Sequence, residues 1–140
     1  VLFSFPHCLI ASPNKEGFVR IYRCDETTGH AITQFGSTNV VIAGIVRTEG
    51  PLQIGRMQLG PGGVVGYHQA MGPQLFLVVN GEGWVRGEGP ERHAITAGQA
   101  AYWKDGEWHE SGSEHGMVAV VIEGDTLDPG RFMREEAVSD

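Results

Sequence analysis

The chain is densely punctuated by turn formers, which implies many tight turns between short elements and suggests strands. With 21 glycines and 7 prolines in 140 residues, few stretches run long without a residue that favours a turn. From Phe18 to Ile122 the apolar residues come in short runs rich in valine and isoleucine, separated by glycine clusters, with no sustained helical period. This pattern predicts an all-β chain. The expected strands are Phe18 to Arg23, Ala31 to Phe35, Val40 to Arg47, Leu52 to Leu59, Val64 to His68, Gln74 to Asn80, Gly83 to Arg86, Glu91 to Thr96, Ala100 to Trp103 and Met117 to Glu123. They recur every roughly 8 to 12 residues, the rhythm of a sandwich or barrel. The length suits one domain, divided into an N-terminal arm (1–17), a barrel (18–124) and a C-terminal tail (125–140) in which Asp128 or Pro129 starts a short helical turn through Met133. The residues from Glu135 onward are expected to be solvated.

Two strands have apolar side chains at both parities. Leu75, Leu77 and Val79 point one way while Phe76 and Val78 point the other, and Met117 to Ile122 behaves similarly. Both faces therefore need cover, from the N-terminal segment or a second subunit, and a homodimer is the simpler expectation.

Charge narrows the partners. Lysine and arginine number 10 against 17 aspartates and glutamates, a formal charge of −7. A surface of that sign disfavours nucleic acid and anionic membranes, both of which call for basic residues. The longest apolar stretch, Val40 to Val46, is far shorter than the roughly 20 residues that span a bilayer, so a soluble, cytoplasmic protein is expected. Cys8 and Cys24 form no CxxC or other metal spacing and are read as free thiols.

No phosphate-binding loop, GxGxxG, GxSxG, HExxH or EF-hand loop is present. Ser111 and Ser113 lie near His109 but lack the glycine-framed elbow of a nucleophilic serine. What the sequence does carry is a pair of spaced segments. The first runs Gly62, five residues, His68, one residue, Ala70, three residues, Gln74, six residues, Gly81; the second runs Gly98, five residues, Lys104, one residue, Gly106, two residues, His109, three residues, Ser113. These spacings resemble the two cupin motifs, G(x)5HxH(x)3–4E(x)6G and G(x)5PxG(x)2H(x)3N. The likeness covers Gly62 to Ser113, and the expected strands extend it to a double-stranded β-helix, the jelly-roll barrel of the cupins. Gly81 and Gly98 then supply the positive φ that hairpin turns require.

The resemblance implies a metal site inside the barrel, held in that family by the two histidines and the glutamate of the first motif and the histidine of the second. Here His68 and His109 stand at two of these places, Ala70 and Gln74 at the others. Alanine cannot coordinate, and a glutamine amide oxygen is neutral where a carboxylate would offset a dication. His68, Gln74 and His109 remain as a weak three-ligand set for iron, manganese, nickel or zinc. Lys104 and Ser113 replace the motif proline and asparagine, in loop positions that do not threaten the fold.

The leading expectation is a small-molecule-binding cupin with an interior pocket around His68, Gln74, Phe76 and His109 and no strong dependence on metal. Phe76 is placed inward because it shares parity with Gln74. If the pocket turns substrate over, His68 or His109 is the candidate general base. The alternative is a metal-dependent oxygenase, isomerase or lyase of a small organic molecule using His68, Gln74 and His109. A third class is an effector-binding module that acts on a separate protein. His115 is a lesser site candidate, His93 is expected to be solvated, and His7 and His30 are read as surface histidines. Of Tyr67, Trp84, Tyr102, Trp103 and Trp108, about half must face away from the interior.

Overall fold

The computed structural model describes residues 19–138. Their strands are β1 (Arg20–Arg23), β2 (His30–Ala31), β3 (Val41–Ile42), β4 (Leu52–Leu59), β5 (Val64–Gln69), β6 (Gln74–Arg86), β7 (His93–Thr96), β8 (Gln99–Trp103), β9 (Trp108–Gly112), β10 (Met117–Gly124) and β11 (Arg134–Glu136). Short 3-10 turns at Glu26–Thr28, Gln34–Gly36 and Pro129–Arg131 are the helical elements among the described residues. No described helix is long and apolar enough to cross a membrane.

Strand β6 joins the two sheets of the barrel. Its first half pairs antiparallel with β8 and β10, in a sheet ordered β11-β1-β8-β6-β10-β4; its second half pairs with β7 and β9, and β9 in turn with β5. The sequence reading expected a hairpin turn at Asn80-Gly81. Instead the chain stays extended through it, and the register against β10 slips between Val118 and Ala119. Gly81 does take the positive φ of 80°, but it turns a continuous strand from one sheet into the other. All four motif glycines share this conformation, with φ of 75° at Gly62, 80° at Gly81, 93° at Gly98 and 83° at Gly106. The spacing is therefore a record of backbone geometry: these are the places where a Cβ is penalised.

Two cores flank the larger sheet. Inside the barrel, Phe76, Val78, Val85, Ile95, Trp103, Met117 and Ala119 pack together. Outside it, Leu75, Leu77, Tyr22, Tyr102 and Ile122 are covered by Ile45 and Val46 of the segment before β4 and by Leu127 and Met133 of the C-terminal segment. Over Leu75 and Leu77 the chain thus supplies its own cover, where an N-terminal arm or a second subunit was expected. Outward-facing Ile54 and Val79 remain exposed.

Other expectations are corrected. Phe18 lies outside the described residues, as do His7 and Cys8. The expected strand Ala31 to Phe35 is only His30–Ala31, followed by the turn at Gln34–Gly36, and Val40 to Arg47 shortens to Val41–Ile42. Strand β9 is absent from the expected strands; at its end stands Gly112. It is needed there: a Cβ at 112 would overlap the Trp84 indole. Glu135 and Glu136 are also not free, since β11 pairs with β1 and Arg23 bridges Glu136 at 2.9 Å. His93 is buried rather than solvated, Cys24 is a free thiol, and His115 is exposed beside Glu114.

Candidate functional site

His68 and His109 face each other across the β5–β9 pair, with ring centroids 4.3 Å apart. Simple alternation would set Val64, not Val65, on the same face as His68. A bulge between Val65 and His68 absorbs the extra residue, so Val65 and His68 both face the interior. The Gly66 carbonyl within that bulge lies 2.6 Å from His68 Nδ1. His109 directs its Nδ1 toward the Glu107 carbonyl at 3.4 Å. A carbonyl only accepts, so the hydrogen-bond pattern assigns the proton of each neutral ring to Nδ1 and leaves Nε2 as an acceptor.

His109 is buried and stacks on the Trp103 indole, with centroids 4.4 Å apart and 23° between the planes. Burial, reinforced by the neighbouring His68, pushes its pKa down to about 4. His109 is therefore neutral at ordinary pH, an acceptor rather than an acid.

Beneath the histidines lies a cavity of about 40 Å³ lined by Met57, Val65, His68, Gln74, Phe76, Trp103, His109 and Ser111. Above them a mouth of about 180 Å³ opens to the surface, bordered by His68, Ala70, Met71, Gln74, His109 and Glu123. All four expected ligand-contacting residues, His68, Gln74, Phe76 and His109, thus lie around one cavity. Ala70, at the position of the missing motif histidine, borders the mouth. Of the aromatics, Trp103 and Phe76 face inward. Tyr67 and Trp108 stack on each other outside the barrel, and Tyr102 lies in the outer core.

Two residues of this site were not singled out from the sequence. Glu123 sits opposite Gln74 in the β10–β6 register, and its Oε1 accepts from Gln74 Nε2 at 3.3 Å. No motif interval reaches Glu123, and only the strand register could have found it. Trp103 was named among the aromatics without a direction. Its indole Nε1 is buried with no hydrogen-bond partner.

The residues present do not fit the metal that the motif resemblance implies. Ala70 offers a methyl group, and Gln74, whose Nε2 bonds to Glu123, keeps only a neutral amide oxygen to coordinate. Among the described residues no group of three or more His, Cys, Asp or Glu side chains converges closely enough to hold an ion.

No protein-family model matches the chain, and no curated protein matches it. Solved structures do. A cupin 2 domain-containing protein from Halorhodospira halophila superposes with a TM-score of 0.53 at 13% identity, covering 81% of this chain and 80% of that one. A conserved protein of unknown function from Streptococcus pyogenes gives 0.50 at 11% identity over 90% and 98%. The DMSP lyase DddQ from Ruegeria pomeroyi gives 0.50 at 14% identity over 74% of this chain and 56% of the lyase. Likeness at these identities speaks for the fold. Together with the motif glycines and the two-sheet barrel, it shows that the chain folds as a double-stranded β-helix, the fold of these cupin neighbours.

Proposed function

We propose that the protein binds a small organic molecule in the mouth of its barrel, between His68, Gln74 and His109, and does so without a metal. The observation that carries this reading is the pair of imidazoles lying side by side, each with its Nδ1 turned to a backbone carbonyl and its Nε2 left as an acceptor, over a cavity that opens to solvent. Such a site orients a ligand by hydrogen bonds against an apolar floor of Met57, Val65 and Phe76. If it also catalyses, His109 is a weak base at a pKa of about 4 and serves mainly to position.

The test has two arms. Elemental analysis of protein purified without an affinity tag, before and after mixing with iron, manganese, nickel and zinc, should find far less than one ion per chain. A metabolite screen by thermal stabilisation should find ligands whose effect disappears in His109→Ala. Near-stoichiometric metal that is lost in His68→Ala would overturn the reading in favour of a metal-dependent enzyme. The Ala70→His, Gln74→Glu double variant should gain metal, because it restores the two missing donors.

A further inference from the structure

We propose that the ligand of this mouth is a short organic cation, a protonated primary amine; the inference rests on the pocket reading above. Its basis is an inventory of the polar groups around the opening. His68 and His109 both hold their Nδ1 protons against backbone carbonyls and so present Nε2 lone pairs. Gln74 spends an amide N–H on Glu123 and Gln69 spends one on the Gly106 carbonyl, which leaves each Oε1 to accept. Glu123 adds a carboxylate at the same mouth. The groups that border the opening are thus mainly acceptors, with one formal negative charge.

A carboxylate or phosphate entering there would set lone pairs against lone pairs. An ammonium group instead brings three N–H donors and a positive charge, which is what the acceptors lack. The surroundings agree in sign. The rim loop Lys104-Asp105-Gly106-Glu107 carries two acids against one lysine, on a chain of net charge −7. That loop is also held in place: Ala70 N donates to the Glu107 carbonyl at 2.8 Å, Gly106 N to the Ala70 carbonyl at 2.9 Å, and Gly72 N to Asp105 Oδ1 at 2.8 Å. The opening is pre-organised.

The inner cavity sets the rest of the ligand. At about 40 Å³, against the roughly 10 to 15 Å³ that holds one water, it accommodates a short chain of a few atoms. Its lining is largely apolar, with Met57, Val65, Phe76 and the Trp103 indole. An alkyl chain on the ammonium suits such a lining without a further polar group.

The experiment is isothermal titration calorimetry of the full chain with chelator present, near about pH 8, where amines are protonated and carboxylates ionised. The probes are ethanolamine, propylamine, propanol and propionate. Ethanolamine and propylamine should both bind, and the other two should give no saturable heat. Glu123→Gln should weaken ethanolamine by about tenfold or more, the loss of one charge-assisted contact. Propanol or propionate binding that Ala70→Leu blocks would overturn the amine class and leave the pocket reading standing. Amine binding insensitive to Glu123→Gln, or silence from all four probes, also overturns the amine class. Amine binding that Ala70→Leu leaves unchanged would place the ligand elsewhere and overturn both readings.

Discussion

The two ends of the β5–β9 pair are built from the same kind of loop contact and used in opposite ways. At one end Gly62 N donates to the Ser113 carbonyl at 2.9 Å and Ser113 N to the Gly63 carbonyl at 3.0 Å. At the other, Ala70 N and Gly106 N exchange bonds with the opposing loop at 2.8 and 2.9 Å. The first end is filled by backbone: a Cβ on Gly81 would overlap the Gly116 carbonyl, and the Ser113 hydroxyl is spent on the Glu82 carbonyl at 2.6 Å and the Gly116 amide at 2.8 Å. The second is left open and bordered by side chains with unused acceptors. One end closes the barrel and the other offers a site. The cupin motif positions are shared between them: Gly62, Gly81 and Ser113 belong to closure, while His68, Ala70, Gln74 and His109 belong to the opening.

If that division is right, substitutions at the closed end should cost stability heavily. Gly81→Ala forces an L side chain into a φ of 80° and against the Gly116 carbonyl. It should cost about 3 kcal/mol or more, read as a shift in the urea midpoint. A loss below about 1 kcal/mol would mean that the strand relaxes there and that this end is not closed by backbone contact.

The open end contributes a pH dependence instead. His109 has a pKa of about 4 in the folded barrel against 6.5 for an ordinary imidazole, chiefly through burial. Between those values the unfolded chain takes up a proton that the folded chain refuses. The stabilisation is fully present above pH 6.5 and fades as the pH falls toward 4. From about pH 7 to about pH 5 this group alone should remove about 2 kcal/mol, and the decline should flatten in His109→Gln. An equally steep decline in that variant would assign the dependence to another group.

Ser113 sharpens the comparison from the closed side. Its hydroxyl joins the Glu82 carbonyl to the Gly116 amide, so Ser113→Ala leaves two backbone groups without that partner. A loss of about 1 to 2 kcal/mol in urea unfolding is expected, with no change in ligand affinity. Altered affinity would show that the two ends communicate.

The fold was legible because closure is written in glycines, and glycine spacing survives in sequence as a geometric requirement. The strand edges were less so. Asn80-Gly81 has the composition of a hairpin turn, and only pairing with β10 on one side of it and β7 and β9 on the other keeps it extended. His68, Gln74, Phe76 and His109 could be placed together from motif interval and parity. Glu123 could not, because its place depends on which residue of β10 lies opposite Gln74. Val65 was hidden by the bulge, which breaks the alternation from which inward positions are read. His93 was misjudged because a polar hairpin sequence says nothing of what packs over it.

The smallest effect on stability is expected at Ala70. The residue is buried, yet it borders a mouth of about 180 Å³. In a filled core, adding the methyl groups of leucine costs about 1 to 3 kcal/mol through overpacking. At an open mouth the added carbons extend into space otherwise held by solvent, so Ala70→Leu should shift the urea midpoint by less than about 0.5 kcal/mol. Ligand binding should disappear in the same protein. A multi-kilocalorie loss would show that the volume above His68 and His109 is not available to a ligand, and would remove the contrast between a closed end and an open one.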